Sequence, residues 1–431
     1  MNSETSHDLP TLRLDGPLPW GRFVIEASAG TGKTYSLTAL VARQVAENGL
    51  RPDQLLMVTF TRSAATDMRH RTRLQVRALA TALQASIEGT EIESEPWMAP
   101  VITGDGTEDA LRLERLEAFI ATYDEATIST IHGFLQIVLN RVGLSSPVHG
   151  EVSLVEDPST LIRQVVSDLV IGALAEDPLM FDGLPTSTSK NPLTIGSTLK
   201  ALVSATKTVL GNLDSVIQPM VDDVDVATSL SKLPGEKRWA VLVERAVRTV
   251  RDRLDQSEQL GFDGLVTATR DLLQGPDADV VVASLRQQFR VVMVDEFQDT
   301  DHVQWAILSR LFLRGDSEEA GTAFGTVGDP KQAIYRFRGA DIEAYHEATF
   351  GVEQTSALIT NYRSNASWIT AVNSLFEGVR FGSDDIVYRS VTARSGVAEE
   401  GVVGSPVLEI RWVPHSEEAG SAQSQKKSPT K

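Results

Sequence analysis

The chain has 431 residues, 42% hydrophobic and 23% charged, room for roughly two to four domains of ordinary size. It has no cysteine, which excludes disulfides and thiolate chemistry, no apolar run approaching the ~18 residues of a membrane span, and a start (MNSETSHDLP) unlike a secretory leader, so a cytoplasmic location without a membrane partner is expected. A net charge of −18 excludes a broad basic surface for nucleic acid but not a narrow channel, because Arg62, Arg69, His70, Arg71, Arg73 and Arg77 crowd one segment.

Residues 1–19 read as an N-terminal tail. From residue 20, the apolar run Phe23-Val24-Ile25 enters Glu26-Ala27-Ser28-Ala29-Gly30-Thr31-Gly32-Lys33-Thr34 and then a helical pattern over 33–48, closed by Asn48-Gly49. Strand, small-residue turn and helix are the build of a phosphate-cradling P-loop: backbone N–H groups and the helix N-terminus converge on phosphate oxygens. Lys33 reaches for the β/γ-phosphates and the Thr34 hydroxyl for Mg²⁺. Ala27 stands where the general pattern has glycine, and a flexible Gly/Ser loop before an ordinary helix is the competing reading. Residues 55–60 read as a buried strand running into a cationic helix from Thr61, so βαβ units and a parallel sheet are expected. Residues 86–110 read as an irregular insertion, and 126–134 lead into a helix ending near Asn140.

From 146 to 285 strand signals fade, and helical patterns over 161–174 and 239–260 suggest a mainly helical inserted domain. The sheet resumes over 286–365. Val291-Val292-Met293-Val294 delivers Asp295 and Glu296 to a strand end, where Asp295 can hold Mg²⁺ and Glu296 can polarise water; solvated acids at a strand end are the alternative. Asp301 and Gln304 resemble a capping pair. A strand over 323–327 ends near Gln332, placed to sense a γ-phosphate, and Phe337 lies between Arg336 and Arg338, an aromatic–cation mix suited to stacking bases. Read alone, Phe337 fits core packing better. A strand over 357–360 enters Asn361-Tyr362-Arg363-Ser364 and a helix around 368–376. Residues 366–415 read as the start of a further domain, and 416–431 as a disordered tail.

The blocks EASAGTGKT (26–34), VTFTRSAATDMRHR (58–71), TISTIHGF (127–134), VDEFQDTD (294–301), VGDPKQAIYRFRGAD (327–341) and NYRS (361–364), in this order, resemble the first motor half of a superfamily 1 helicase of the UvrD/Rep type, and within it the RecB type. The resemblance implies an α/β fold, a RecA-like P-loop NTPase sheet flanked by helices, in two parts (20–145 and 286–365) around the inserted domain. It implies ATP and Mg²⁺ as cofactors. Ala27, Ser28, Ala29, Gly30, Thr31, Gly32, Lys33 and Thr34 would bind the nucleotide, with Tyr362 on adenine. Thr34 and Asp295 would hold the metal, with Glu296 as catalytic base and Gln332 and Arg363 reading the γ-phosphate. Phe60, Thr61, Arg62, His132, Phe134 and Phe337 lie on segments that face single-stranded DNA in the family. The implied activity is a 3′→5′ DNA helicase or translocase in double-strand-break repair and recombination, with RecC- and RecD-like subunits and a duplex end as partners. No matching arginine-finger motif or nuclease carboxylate–lysine cluster follows Arg363. The expectation is therefore a motor portion ending soon after its second domain begins, with a module that binds ATP and DNA or partners without unwinding as the alternative.

Overall fold

Three short, almost wholly apolar runs set the centre of the fold: LLMVT, VVMV and AFGTVG, buried at every residue. Strands covered on both faces carry such unbroken runs, whereas half-exposed strands alternate. The computed structural model describes residues 9–90, 94–142, 153–154, 159–176, 195–210, 235–256, 259–260, 262–313, 322–334, 341–382, 386–394 and 408–409. In chain order the strands are β1 (Arg22–Ala27), β2 (Leu55–Thr59), β3 (Thr127–Thr130), β4 (Ser153–Leu154), β5 (Gln259–Leu260), β6 (Val291–Val294), β7 (Ala323–Gly328), β8 (Gln354–Leu358), β9 (Thr360–Asn361) and β10 (Thr392–Ala393). The helices are α1 (Lys33–Asn48), α2 (Arg62–Glu88), α3 (Gly106–Ala121), α4 (Ile131–Val142), α5 (Ser159–Glu176), α6 (Ile195–Val209), α7 (Gly235–Gln256), α8 (Phe262–Leu272), α9 (Ala278–Gln288), α10 (His302–Phe312), α11 (Ile342–Thr349) and α12 (Ala366–Phe376).

Two compact units emerge: Met1–Glu26 with Thr34–Ala357, and Ala27–Lys33 with Leu358–Lys431. The first holds the six-stranded sheet, ordered β3-β2-β6-β7-β1-β8. The pairs β2–β3, β2–β6, β6–β7 and β1–β7 are all parallel, and their register aligns Val58 with Val294, Val294 with Thr326, and Glu26 with Gly328. The carboxyl ends of β6, β7 and β1 therefore share one edge, where ligands of open parallel sheets bind. This α/β architecture, a parallel sheet flanked by helices, is the one the motifs imply. Phe23 lies opposite Gly325 in the β1–β7 ladder, and a Cβ at Gly325 would meet the Phe23 ring at 2.2 Å, so the glycine makes room for the aromatic.

Helix α1 is buried from Ser36 through Ala46, including Arg43 at 2% exposure. That guanidinium is fully engaged: it donates to Glu47 at 2.6 Å and to the carbonyls of Leu14 and Gly16 at 2.7 and 2.6 Å. Residues 9–19 are thus docked rather than a loose tail. Leu12 N–H also donates to Ala357 O, and Ala357 N–H to Pro10 O, extending the sheet beyond β8.

Two apolar clusters of the first unit bear on where the inserted helices end. One packs α4, α8, α9 and α10 against the sheet, with Phe134, Leu265, Leu285, Phe289, Phe312 and Phe324 inside. The other belongs to α5, α6 and α7, from Ile162 to Leu254. Helices α8 and α9 therefore pack with the sheet, and the inserted helical core closes well before the expected 285. Where an irregular insertion is expected over 86–110, α2 runs to Glu88, Trp97 and Met98 are buried, and α3 starts at Gly106. Asp105 caps α3, accepting from Thr107 N–H and Glu108 N–H, and the 1%-exposed Asp109 accepts from Thr103 N–H, Thr103 Oγ1 and Gly104 N–H. The 357–360 run is divided between β8 and β9. The 416–431 tail lies outside the described residues, and among those described no helix is long and apolar enough to cross a membrane.

Candidate functional site

The loop after β1 belongs to the second unit. Gly30 and Gly32 have φ of 80° and 83°, the left-handed region that favours glycine and turns successive N–H groups toward a common point. Ala27 is the last residue of β1, fully buried and without a positive φ, so nothing in the backbone demands glycine there. Thr31 closes the turn, its hydroxyl donating to Ser28 O at 2.7 Å. Lys33 opens α1, and Thr34 follows it.

The same unit brings 361–364 onto this loop. Asn361 Nδ2 donates to Ala29 O at 2.9 Å, and Tyr362 N–H to Gly30 O at 2.8 Å. Asn361 Oδ1 accepts from Arg363 N–H and Ser364 N–H, both at 2.9 Å, holding an Asx turn. A Cβ on Gly30 would lie 2.9 Å from Asn361 Nδ2 and 3.0 Å from Arg363 Cβ, so only glycine lets the segments approach this closely. The Tyr362 ring sits beside Gly32, is 54% exposed, and carries the Arg394 guanidinium 5.9 Å from its centroid. Tyr362 and Arg363 are thereby gathered with Ala29, Gly30 and Gly32. The sequence alone assigns no role to Asn361 or Arg394; the asparagine before two turn residues is the available signal for the first.

In the first unit, β6 ends in Asp295, 9% exposed, whose Oδ1 accepts from Glu296 N–H at 2.9 Å. Glu296 has φ 52° and ψ 42°, the one positive φ on a non-glycine among the described residues. Left-handed backbone costs an ordinary residue about 1–2 kcal/mol, and such strain gathers at working sites. Gln298, 2% exposed, answers that conformation: its Nε2 donates to Glu296 Oε2 at 2.7 Å, and its Oε1 accepts from Asp329 N–H at 3.0 Å. Asp329, at the end of β7 and 2% exposed, accepts from Gln332 Nε2 at 2.7 Å through Oδ2 and pairs with Lys331 Nζ at 2.8 Å through Oδ1. Lys331 in turn reaches Glu26 Oε1, the last acid of β1, at 3.2 Å. Glu296 and Gln332 are thus joined through Gln298 and Asp329. The linking residues lie inside quoted motifs, but nothing in the sequence tells which side chain bonds which. The hard oxygen donors of Asp295 and Thr34 are of the kind Mg²⁺ takes.

The residues implied for DNA contact divide. Phe60 is half-buried at the end of β2; Thr61 and Arg62 are exposed at the start of α2, where Thr61 Oγ1 accepts from Ala64 N–H. His132 is half-buried. Phe134 is a correction: fully buried, its ring packs at 6.1 Å from Phe289 and 6.2 Å from Phe312, where no base can reach it. Ile131, Phe134, Leu135, Val138 and Leu139 all share that cluster, at helical spacing. Phe337 lies outside the described residues. The basic run on α2 is partly committed to internal contacts. Arg69 donates to Ala126 O and Ile128 O at 3.3 and 3.0 Å, Arg71 pairs with Asp67, and Arg73 lies over the Tyr123 ring.

A family model described as the UvrD/REP helicase N-terminal domain matches residues 17–350. The chain is similar to the RecBCD enzyme subunit RecB of Mycolicibacterium smegmatis, 35% identical over 384 residues, covering 88% of this chain and 32% of that protein. The subunit of the same name from Mycobacterium tuberculosis is 32% identical over 383 residues, with the same coverage, and that from Escherichia coli 27% over 473 residues, covering 87% and 39%. The chain thus spans about a third of the length of these relatives. With the parallel sheet and its loop and carboxylate edge in place, the match over most of its length makes this chain a member of the UvrD/Rep helicase N-terminal domain family.

Proposed function

We propose that this chain is the ATP-binding motor portion of a RecB-like 3′→5′ DNA helicase or translocase acting in double-strand-break repair and recombination, beside RecC- and RecD-like subunits. The observation that carries the reading is the bonded chain Glu296–Gln298–Asp329–Gln332 along one sheet edge, which ties a carboxylate suited to a general base to an amide suited to sensing phosphate.

In this reading the N–H groups of 27–32 cradle phosphate oxygens and Lys33 neutralises the β/γ-phosphates. Thr34 and Asp295 hold Mg²⁺, which when bound screens the charge on the phosphates and fixes their orientation. Glu296 accepts the proton of the attacking water, Gln332 and Arg363 report on the γ-phosphate, and Tyr362 takes the adenine. Single-stranded DNA runs over Phe60, Thr61, Arg62, His132 and Phe337, and the inserted helices lean on duplex. The sheet and the helices packed on it, α8 and α9 among them, are the first motor domain, and 366–415 begins the second.

The test is DNA-stimulated ATP hydrolysis by the purified chain, alone and with any chain encoded beside it. Lys33→Ala is expected to abolish tight Mg-ATP binding, while Glu296→Gln keeps binding and loses hydrolysis. Binding without turnover in either preparation would overturn the motor reading in favour of a module that holds ATP and DNA or partners. Normal hydrolysis by Glu296→Gln would overturn the base assignment.

A further inference from the structure

We infer that Gln298 is a positioning residue for ATP hydrolysis: it fixes the carboxylate of Glu296 and couples it, through Asp329, to Gln332. The inference rests on the assignment of Glu296 as general base. Four observations carry it. Gln298 is 2% exposed and uses both ends of its amide, Nε2 on Glu296 Oε2 at 2.7 Å and Oε1 on Asp329 N–H at 3.0 Å. The backbone is shaped around it: a Cβ at Gly328 would lie 2.6 Å from Gln298 Oε1 and 3.3 Å from Gln298 N, so β7 must end in glycine for this side chain to fit. Glu296 stands in left-handed backbone, which turns its carboxylate to meet an amide two residues on. Asp329, which Gln298 fastens by its backbone, holds the Gln332 amide at 2.7 Å.

A general base works only when its oxygen lies within hydrogen-bond reach of the proton it takes, and a misplacement of about 1 Å can cost ~10²-fold in rate. A glutamine is suited to this post because one end donates to a carboxylate and the other accepts from a peptide N–H, and neither end titrates. A shift of Gln332 on meeting phosphate is transmitted through Asp329 and Gln298 to Glu296, so the base is set when the sensor is occupied.

The experiment measures single-turnover ATP hydrolysis with DNA, together with Mg-ATP affinity and thermal unfolding, for wild type, Glu296→Gln, Gln298→Met, Gln298→Glu and the double variant Glu296→Gln/Gln298→Met. Gln298→Met removes both hydrogen bonds. Gln298→Glu keeps an acceptor for Asp329 N–H, guarding against a simple folding defect, but replaces the donor to Glu296 with a second carboxylate. Both single variants are expected to lose about 10–100-fold in hydrolysis rate with Mg-ATP affinity within about twofold of wild type. In the Glu296→Gln background Gln298→Met is expected to change the residual rate no further, because it acts only through that carboxylate. A merely structural role would lower the residual rate again. Wild-type hydrolysis by either single variant, a loss confined to affinity, or losses that multiply in the double variant would each overturn the inference while leaving the base assignment standing. A wild-type chain without turnover, or full activity in Glu296→Gln, would remove the base assignment and the inference with it.

Discussion

Asn361 is the strut between the 27–34 loop and the 361–364 turn, and truncating it gives the sharpest quantitative prediction. Asn361→Ala deletes three hydrogen bonds of 2.9 Å, to Ala29 O and from the Arg363 and Ser364 amides. At about 0.5–1.5 kcal/mol net each, the full sum is about 1.5–4.5 kcal/mol. Ala29 and Arg363 are exposed and Ser364 partly so, and water replaces part of what is lost, which places the effect near the lower end, at about 1.5–2 kcal/mol. That free energy bears on the order of the loop before nucleotide arrives, because Asn361 itself is only 6% exposed and its donor lies against Gly30. At about 1.4 kcal/mol per decade, the Kd for Mg-ATP is expected to rise about 10–30-fold, with little change in unfolding temperature. Titration calorimetry on the purified chain measures both affinity and stoichiometry. Asn361→Asp keeps the two accepting bonds and forfeits only the donation to Ala29, so it separates the strut from the turn. An Asn361→Ala variant that binds Mg-ATP within twofold of wild type would refute the reasoning.

Three other outcomes follow from contacts in the sheet and its helices. Gly325→Ala forces a methyl into the Phe23 ring and is expected to destabilise by about 1–3 kcal/mol in urea unfolding, with Phe23→Leu recovering part of the loss; no loss in the single variant would mean the ring moves freely. Arg43→Met leaves two carbonyls and Glu47 without their buried partner and is expected to cost about 3–5 kcal/mol and to expose 9–16 to limited proteolysis, whereas unchanged cleavage would count against the docking role. Burial pushes the Tyr123 hydroxyl up to about 12 from an ordinary value near 10. A raised folded-state value means the associated stability is whole below pH 10 and disappears as pH climbs through 12. Tyr123→Phe is expected to flatten that alkaline decline at the cost of the bond to Arg69 O, and parallel declines in both proteins would contradict it.

What the sequence made legible was local. The loop at 27–34, the apolar run before Asp295 and the cap at Asp301 each announce themselves within a dozen residues, and Asp301 Oδ1 does accept from Gln304 N–H at 2.8 Å. What it withheld depends on partners far along the chain. Asn361 and Ala29 are 332 positions apart, and Gln298 meets Asp329 across 31. Arg69 looked like part of a cationic track because its carbonyl partners, Ala126 and Ile128, belong to β3 and its approach. Phe134 is the instructive miss. The motif around it pointed to DNA, while the spacing of its apolar neighbours on α4 already pointed to the core, and the packing pattern decided.

The small clasp formed by β4 and β5 has a consequence for how this architecture tolerates change. Ser153 pairs with Gln259 and Leu154 with Leu260, so the chain leaves for the inserted helices and returns from them at nearly the same place. The described helices between the two strands share their own apolar centre, from Ile162 to Leu254. Doubling the length of a closed excursion costs only about 0.6 kcal/mol in chain entropy, and neither the register of β2 and β6 nor the edge they present need shift. The insert can therefore grow, shrink or be exchanged as a cassette. A graft at this clasp offers a way to exchange the inserted helices while the sheet stays as it is.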